Sequence, residues 1–192
     1  MIGPLAAYAR ERFPPGVFAT AILAMTGVAL LIPESAWTLP IAARALGLMA
    51  LLFLQFRLWD DLEDRDRDAQ THPERVLVRS DARPFWWALV AVTVVNLGLV
   101  VQAGPRVAWV GLIALDLVAR IAYSWARPNV SERVWTRWML PVKYSAFVAI
   151  VALSTGRPVA WHLLAVGATI AFLGEQQYER SSERKSRLGE LR

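Results

Sequence analysis

Residues 40–77 read PIAARALGLMALLFLQFRLWDDLEDRDRDAQTHPERVL. An apolar block, 40–58, runs without a linker into a segment holding Asp60, Asp61, Glu63, Asp64, Asp66 and Asp68. About 20 apolar residues in a helix cross a ~30 Å hydrocarbon core. Lipid-exposed open strands could not satisfy their backbone groups there, so the block reads as a membrane helix with an acidic end. If the helix continues past the membrane, Asp61, Asp64 and Asp68 fall at i, i+3 and i+7 on one face, and Asp60 borders it. Like charges packed this way repel. A divalent cation removes that cost, and hard oxygen ligands suit Mg2+, which takes its remaining ligands from water and substrate phosphates.

The plainer alternative is a solvated charged face, because Arg65 and Arg67 interleave with the acids. Two features weigh against it. The acids sit at the membrane boundary, and His72-Pro73-Glu74-Arg75 follows as a proline-broken basic tail. Carboxylates for a cation, set beside arginine donors, are what holding and ionising a diphosphate requires.

Outward from this stretch the pattern repeats. Apolar blocks cover roughly 13–32, 40–58, 85–103, 107–125, 138–154 and 159–174. Pro14 and Pro15 suit a first helical turn. Pro33 with Pro40, Gly104 with Pro105, and Gly156 with Pro158 mark tight turns, which implies three antiparallel hairpins. The expected fold is therefore all-α: one membrane domain, 1–192, of about six transmembrane helices with a basic tail at 175–192. Segments 33–40, 102–106 and 155–159 hold only Arg106 and Arg157 as basic residues. The opposite side holds Arg10, Arg12, Arg57, Arg65, Arg67, Arg75, Arg79, Arg83, Arg127, Arg133 and Arg137, then the tail arginines and Lys185. The positive-inside rule makes that side cytoplasmic, with both termini on it, in a bacterial inner membrane. Trp37, Trp86, Trp87, Trp109, Trp125, Trp135, Trp138 and Trp161 fall near block ends, as an interfacial aromatic belt does.

Composition agrees. Of 192 residues, 56% are hydrophobic, above the about 45–50% of soluble domains. There are no cysteines, which excludes disulfides, thiolate metal sites and cysteine nucleophiles. The only histidines are His72 and His162, too few for a histidine-rich metal site. The net charge of +5 follows membrane orientation, with no nucleic acid as partner. On the fourth block, Asp116 and Arg120 lie four apart, either as an internal pair or as a functional intramembrane charge. Lys143, in the first turn of the fifth block, either snorkels to the interface or reaches a diphosphate.

The order Asp60-Asp61-x-x-Asp64-x-x-x-Asp68 resembles the first aspartate-rich motif of the UbiA superfamily of intramembrane prenyltransferases, N-D-x-x-D-x-x-x-D. Asp61, Asp64 and Asp68 match its three aspartates, and Asp60 stands where the family has asparagine. Arg75 lies where the family commonly has an arginine. Tyr123-Ser124 and Pro141 resemble its fourth-to-fifth connection, so the resemblance spans about residues 10–185. It implies Mg2+-assisted ionisation of a polyprenyl diphosphate and transfer of the prenyl group to a lipophilic or aromatic acceptor. Asp61, Asp64 and Asp68 would be catalytic. Asp60 and Glu175 would join them as metal ligands. Arg75, Lys143, Tyr123 and Tyr178 would bind substrate. The family's second aspartate-rich motif falls at 175–185, where Glu175, Tyr178 and Glu183 stand and no aspartate remains. The family also has nine helices where this chain has six blocks. The alternative is a non-catalytic relative serving in assembly or interaction. Either way, a second copy or another membrane subunit is expected to cover the bundle.

Overall fold

The structure is a computed structural model, and it describes residues 2–31, 38–126, 132–156, 159, 166, 167 and 169. It is all-α. The helices are α1 (Ile2–Arg12), α2 (Pro15–Leu30), α3 (Leu39–Glu63), α4 (Arg65–Thr71), α5 (Val76–Arg79), α6 (Arg83–Ala103), α7 (Arg106–Ile121) and α8 (Glu132–Ser154). A π-helical turn, Ala122–Ala126, extends α7.

Proline and glycine set most of the breaks. Pro14 is extended, at φ −59° and ψ 118°, and Pro15 opens α2. A proline disfavours helical geometry in the residue before it, and α1 bends from α2 by 72°. Asp64, at φ −86° and ψ 0°, separates α3 from α4. Hydrogen bonding nevertheless continues through that joint, from Asp64 N–H to Asp60 O (3.0 Å) and from Asp68 N–H to Asp64 O (2.8 Å). α4 stops at His72, the residue before Pro73. Pro105 separates α6 from α7.

The α3 helix is the centre of the bundle, packed by α2, α6 and α8, while α7 packs on α6 and α8. Its buried Leu48, Met49, Leu52, Phe53 and Phe56 meet Phe147, Val148 and Val151 of α8 in one core. The Phe56 and Phe147 rings lie 5.0 Å apart. α1 lies instead against α5.

Leu39–Glu63, Arg83–Gln102 and Arg106–Trp125 are long and apolar enough to cross a membrane, and the bent pair of α1 and α2 would make a fourth span. Outward faces of these helices carry exposed Val94, Leu117, Ile121 and Trp125. Three to four long apolar helices suggest a multi-pass membrane protein. The expected six spans differ from this count for two reasons. The fifth block folds within α8, a 23-residue helix whose side chains are described at Met139 and from Val142 onward. The sixth block, 159–174, and the tail, 175–192, lie almost wholly outside the described residues.

The turn from α6 to α7 is closely packed. A Cβ on Gly104 would lie 3.0 Å from Val100 O, 3.0 Å from the Ala108 Cβ and 3.3 Å from the Ser154 Cα. Two of these neighbours are backbone atoms, which cannot swing away. Gly104→Ala is expected to cost about 1–3 kcal/mol through overpacking, measured as a lower unfolding midpoint in detergent. Gly98→Ala is the control, because nothing lies within 4 Å of its added Cβ.

Candidate functional site

The polar end of α3 gathers charge from α1 and α8, and a further pair forms on α4 and the loop after it. Asp61 is 4% exposed. Arg12 of α1 grips it bidentately: its Nε donates to Oδ2 at 2.9 Å and its Nη2 to Oδ1. The Tyr8 hydroxyl donates to Oδ2 at 2.7 Å. Arg57, one turn back on α3, places Nε 3.5 Å from the same oxygen, an ion pair without a hydrogen bond. Asp60 turns the other way and accepts from Lys143 Nζ of α8 at 2.6 Å. Lys143 is 3% exposed, so this ion pair is nearly dry on the lysine side. On α4, buried Asp68 accepts from Arg75 Nη1. Taking such charges out of water costs several kcal/mol per ion, so each buried one needs its partner.

The surrounding loop is tied by its own bonds. Arg65 donates to the carbonyls of Leu77 (3.1 Å) and Ser80 (3.0 Å), folding α5 back along α4. The Glu11 carboxylate accepts the Val76 N–H at 2.9 Å, fixing α1 to the start of α5. The Trp59 indole donates to Glu63 at 3.1 Å. Tyr123, buried on the π-helical turn, stands 5.8 Å from the Trp59 ring.

No protein-family model, curated protein or solved structure matches this chain.

The candidate residues of the sequence thus divide by what holds them. Asp60, Asp61, Asp68, Arg75, Lys143 and Tyr123 all lie at or beside the polar end of α3, and Asp60–Lys143 and Asp68–Arg75 touch directly. Asp64 is half-buried at the α3–α4 joint, one turn from Asp60. Glu175 and Tyr178 lie outside the described residues. Among the described residues no three His, Asp or Glu side chains converge as a metal cage. Magnesium does not require one, since it typically takes one or two carboxylates and fills its shell with water and substrate phosphates. Asp60 and Asp64 are the carboxylates that could hold it in this way. Asp61 fits that role poorly, because both its oxygens already accept from Arg12 and Tyr8.

Three partners of this site did not stand out in the sequence. Arg10 and Arg12 carry an orientation signal, and nothing local connects Arg12 to Asp61, 49 residues away. Tyr8 precedes the first apolar block. Arg57 could have been found, since it lies four residues before Asp61 on the same helix.

Proposed function

We propose that this chain is a UbiA-like membrane prenyltransferase. Its polar α3 end binds a prenyl diphosphate and assists its departure, and the prenyl group passes to a lipophilic or aromatic acceptor. The observation that supports this reading most is the pairing of nearly dry Lys143 with half-buried Asp60, one turn from Asp64. Burying a lysine beside carboxylates at the end of an apolar bundle is costly, and charges at such depth default to a functional reading.

An entering diphosphate gives Lys143 and Arg75 phosphate oxygens in exchange for Asp60 and Asp68. That exchange leaves carboxylates facing phosphate, which calls for a cation between them. Magnesium, when bound, would neutralise charge on the leaving diphosphate. Asp61 is a positioning residue here: it keeps Arg12, Tyr8 and Arg57 in place and fixes α1 over the site.

A second reading, a non-catalytic subunit of a membrane assembly, draws on the completeness of the Asp61 clamp. Bonds of that kind hold α1 to α3 whether or not chemistry follows. Purified protein supplied with a prenyl diphosphate, magnesium and a panel of lipophilic aromatic acceptors separates the two. The transferase reading expects release of inorganic diphosphate, and none from a chain carrying Asp64→Asn. Absence of release across donor lengths, with the fold intact, favours the subunit.

Orientation is part of the proposal. The polar α3 end and both termini face the cytoplasm of a bacterial inner membrane, and a second copy or another subunit covers the bundle. Because the chain has no cysteine, single cysteines at exposed Asp66 and at Lys185 report cleanly. Impermeant maleimide added to intact cells is expected to label neither. Labelling of both before lysis would reverse the orientation.

A further inference from the structure

Arg57 precedes the two carboxylates of the polar end on the same helix, three residues before Asp60 and four before Asp61. Those offsets put it one turn deeper on their face of α3. Its Nε is buried, lies 3.5 Å from Asp61 Oδ2 and makes no hydrogen bond. That oxygen is already full. A carboxylate oxygen offers two lone pairs, and those of Oδ2 take the Arg12 Nε and the Tyr8 hydroxyl. Asp60 takes Lys143 at 2.6 Å. A guanidinium carries five N–H donors in a fixed fork, and no described residue accepts a hydrogen bond from that of Arg57.

The other cations of the site are in the opposite condition. Arg12, Arg75 and Lys143 each donate directly to a carboxylate. For Lys143 or Arg75 to take a phosphate oxygen, that bond has to break. Arg57 gives up only a distant ion pair. It is also the most open cation around Asp60 and Asp61: its side chain is 27% exposed, against 14% for Arg12 and 4% for Lys143. Charge agrees with geometry. Arg12, Arg57 and Lys143 are three cations facing two carboxylates, Asp60 and Asp61, and the one left over is the one with free donors. A role in stabilising the helix alone explains this less well. At i,i+4 the basic residue stands N-terminal to the acid, the less favourable order, and Asp61 is held without it.

A buried charged donor without an acceptor is costly. A phosphate group removes that cost, because the guanidinium fork matches two of its oxygens side by side. We propose that Arg57 is the first diphosphate ligand of the site, an open guanidinium that takes phosphate oxygens of the entering group before Lys143 and Arg75 leave their carboxylates. This assignment rests on the diphosphate reading and supplies a donor that is available without breaking a bond. The ion pair with Asp61 keeps the side chain in place and leaves its donors free.

Calorimetric titration of the full chain in detergent with inorganic diphosphate, with and without magnesium, tests the assignment apart from prenyl chemistry. Arg57→Gln is expected to weaken binding about tenfold or more, the scale of a hydrogen bond to a charged group. Arg79→Gln, which removes an exposed arginine from the same side, should leave binding unchanged. If Arg57→Gln does not fold, the wild type answers by itself. Bound diphosphate should protect Arg57 from modification by phenylglyoxal, read by peptide mass mapping, and leave Arg79 reactive. Undiminished binding by Arg57→Gln, or an Arg57 equally reactive with and without diphosphate, would overturn the assignment and leave the diphosphate reading standing. Arg57-dependent binding in a protein that transfers no prenyl group would keep the assignment and remove the transferase. A wild type that binds no diphosphate under either condition would overturn both.

Discussion

Arg12→Ala is expected to lower the stability of the bundle by about 3–5 kcal/mol, the usual cost of leaving one partner of a buried ion pair alone. The side chains of Arg12 and Asp61 are only 14% and 6% exposed, so water compensates little for the loss. Asp61 would keep Tyr8 and the more distant Arg57, which limits the damage but does not replace the bidentate grip. The effect should be mostly recovered in the double variant Arg12→Leu with Asp61→Leu. Apolar pairs of similar volume often match a buried ion pair, because neither group then needs desolvation. Chemical unfolding in detergent, read by tryptophan fluorescence, gives both values. Single and double variants of equal stability would mean that the clamp contributes little.

Asp64→Asn has the opposite signature. Prenyl-transfer turnover is expected to fall about 10²-fold or more, the scale seen when a group stabilising transition-state charge is removed. The loss of stability should be smaller than that of Arg12→Ala, because the site is only half-buried and asparagine is nearly isosteric. Asp60→Asn is less clean, since it also strands Lys143, which is 3% exposed. Its loss of turnover should therefore come with a loss of stability. The split between Arg12→Ala and Asp64→Asn separates the residues that hold the helix end together from those that act on substrate.

Much of the architecture was legible in the chain. Five apolar blocks fold as α2, α3, α6, α7 and α8, because lipid-scale hydropathy and proline punctuation both act locally. The acidic end of α3 was legible for the same reason, whereas Arg75, read as a substrate ligand, is bound to Asp68 in the structure. What the sequence did not reveal depends on packing between distant helices. α1 precedes the first apolar block, and its 72° bend from α2 brings Tyr8, Glu11 and Arg12 across to α3 and α5. Arg12 looks like a topology signal until Asp61 is placed beside it. Asp116 and Arg120 have ideal spacing for a pair, and the structure gives Asp116 to Gln55 instead. A buried amide 61 residues away competed successfully with a solvated arginine on the same helix. The sequence signal for this contact was Gln55 itself, an amide inside an apolar block, where it must find a partner.

Calorimetric titration of the detergent-solubilised chain with farnesyl diphosphate, with and without magnesium, tests the central claim most directly. The account predicts binding that requires magnesium, disappears in Asp64→Asn and persists in Asp66→Asn, whose side chain is exposed. No binding under either condition, or binding indifferent to magnesium and to Asp64, would contradict it.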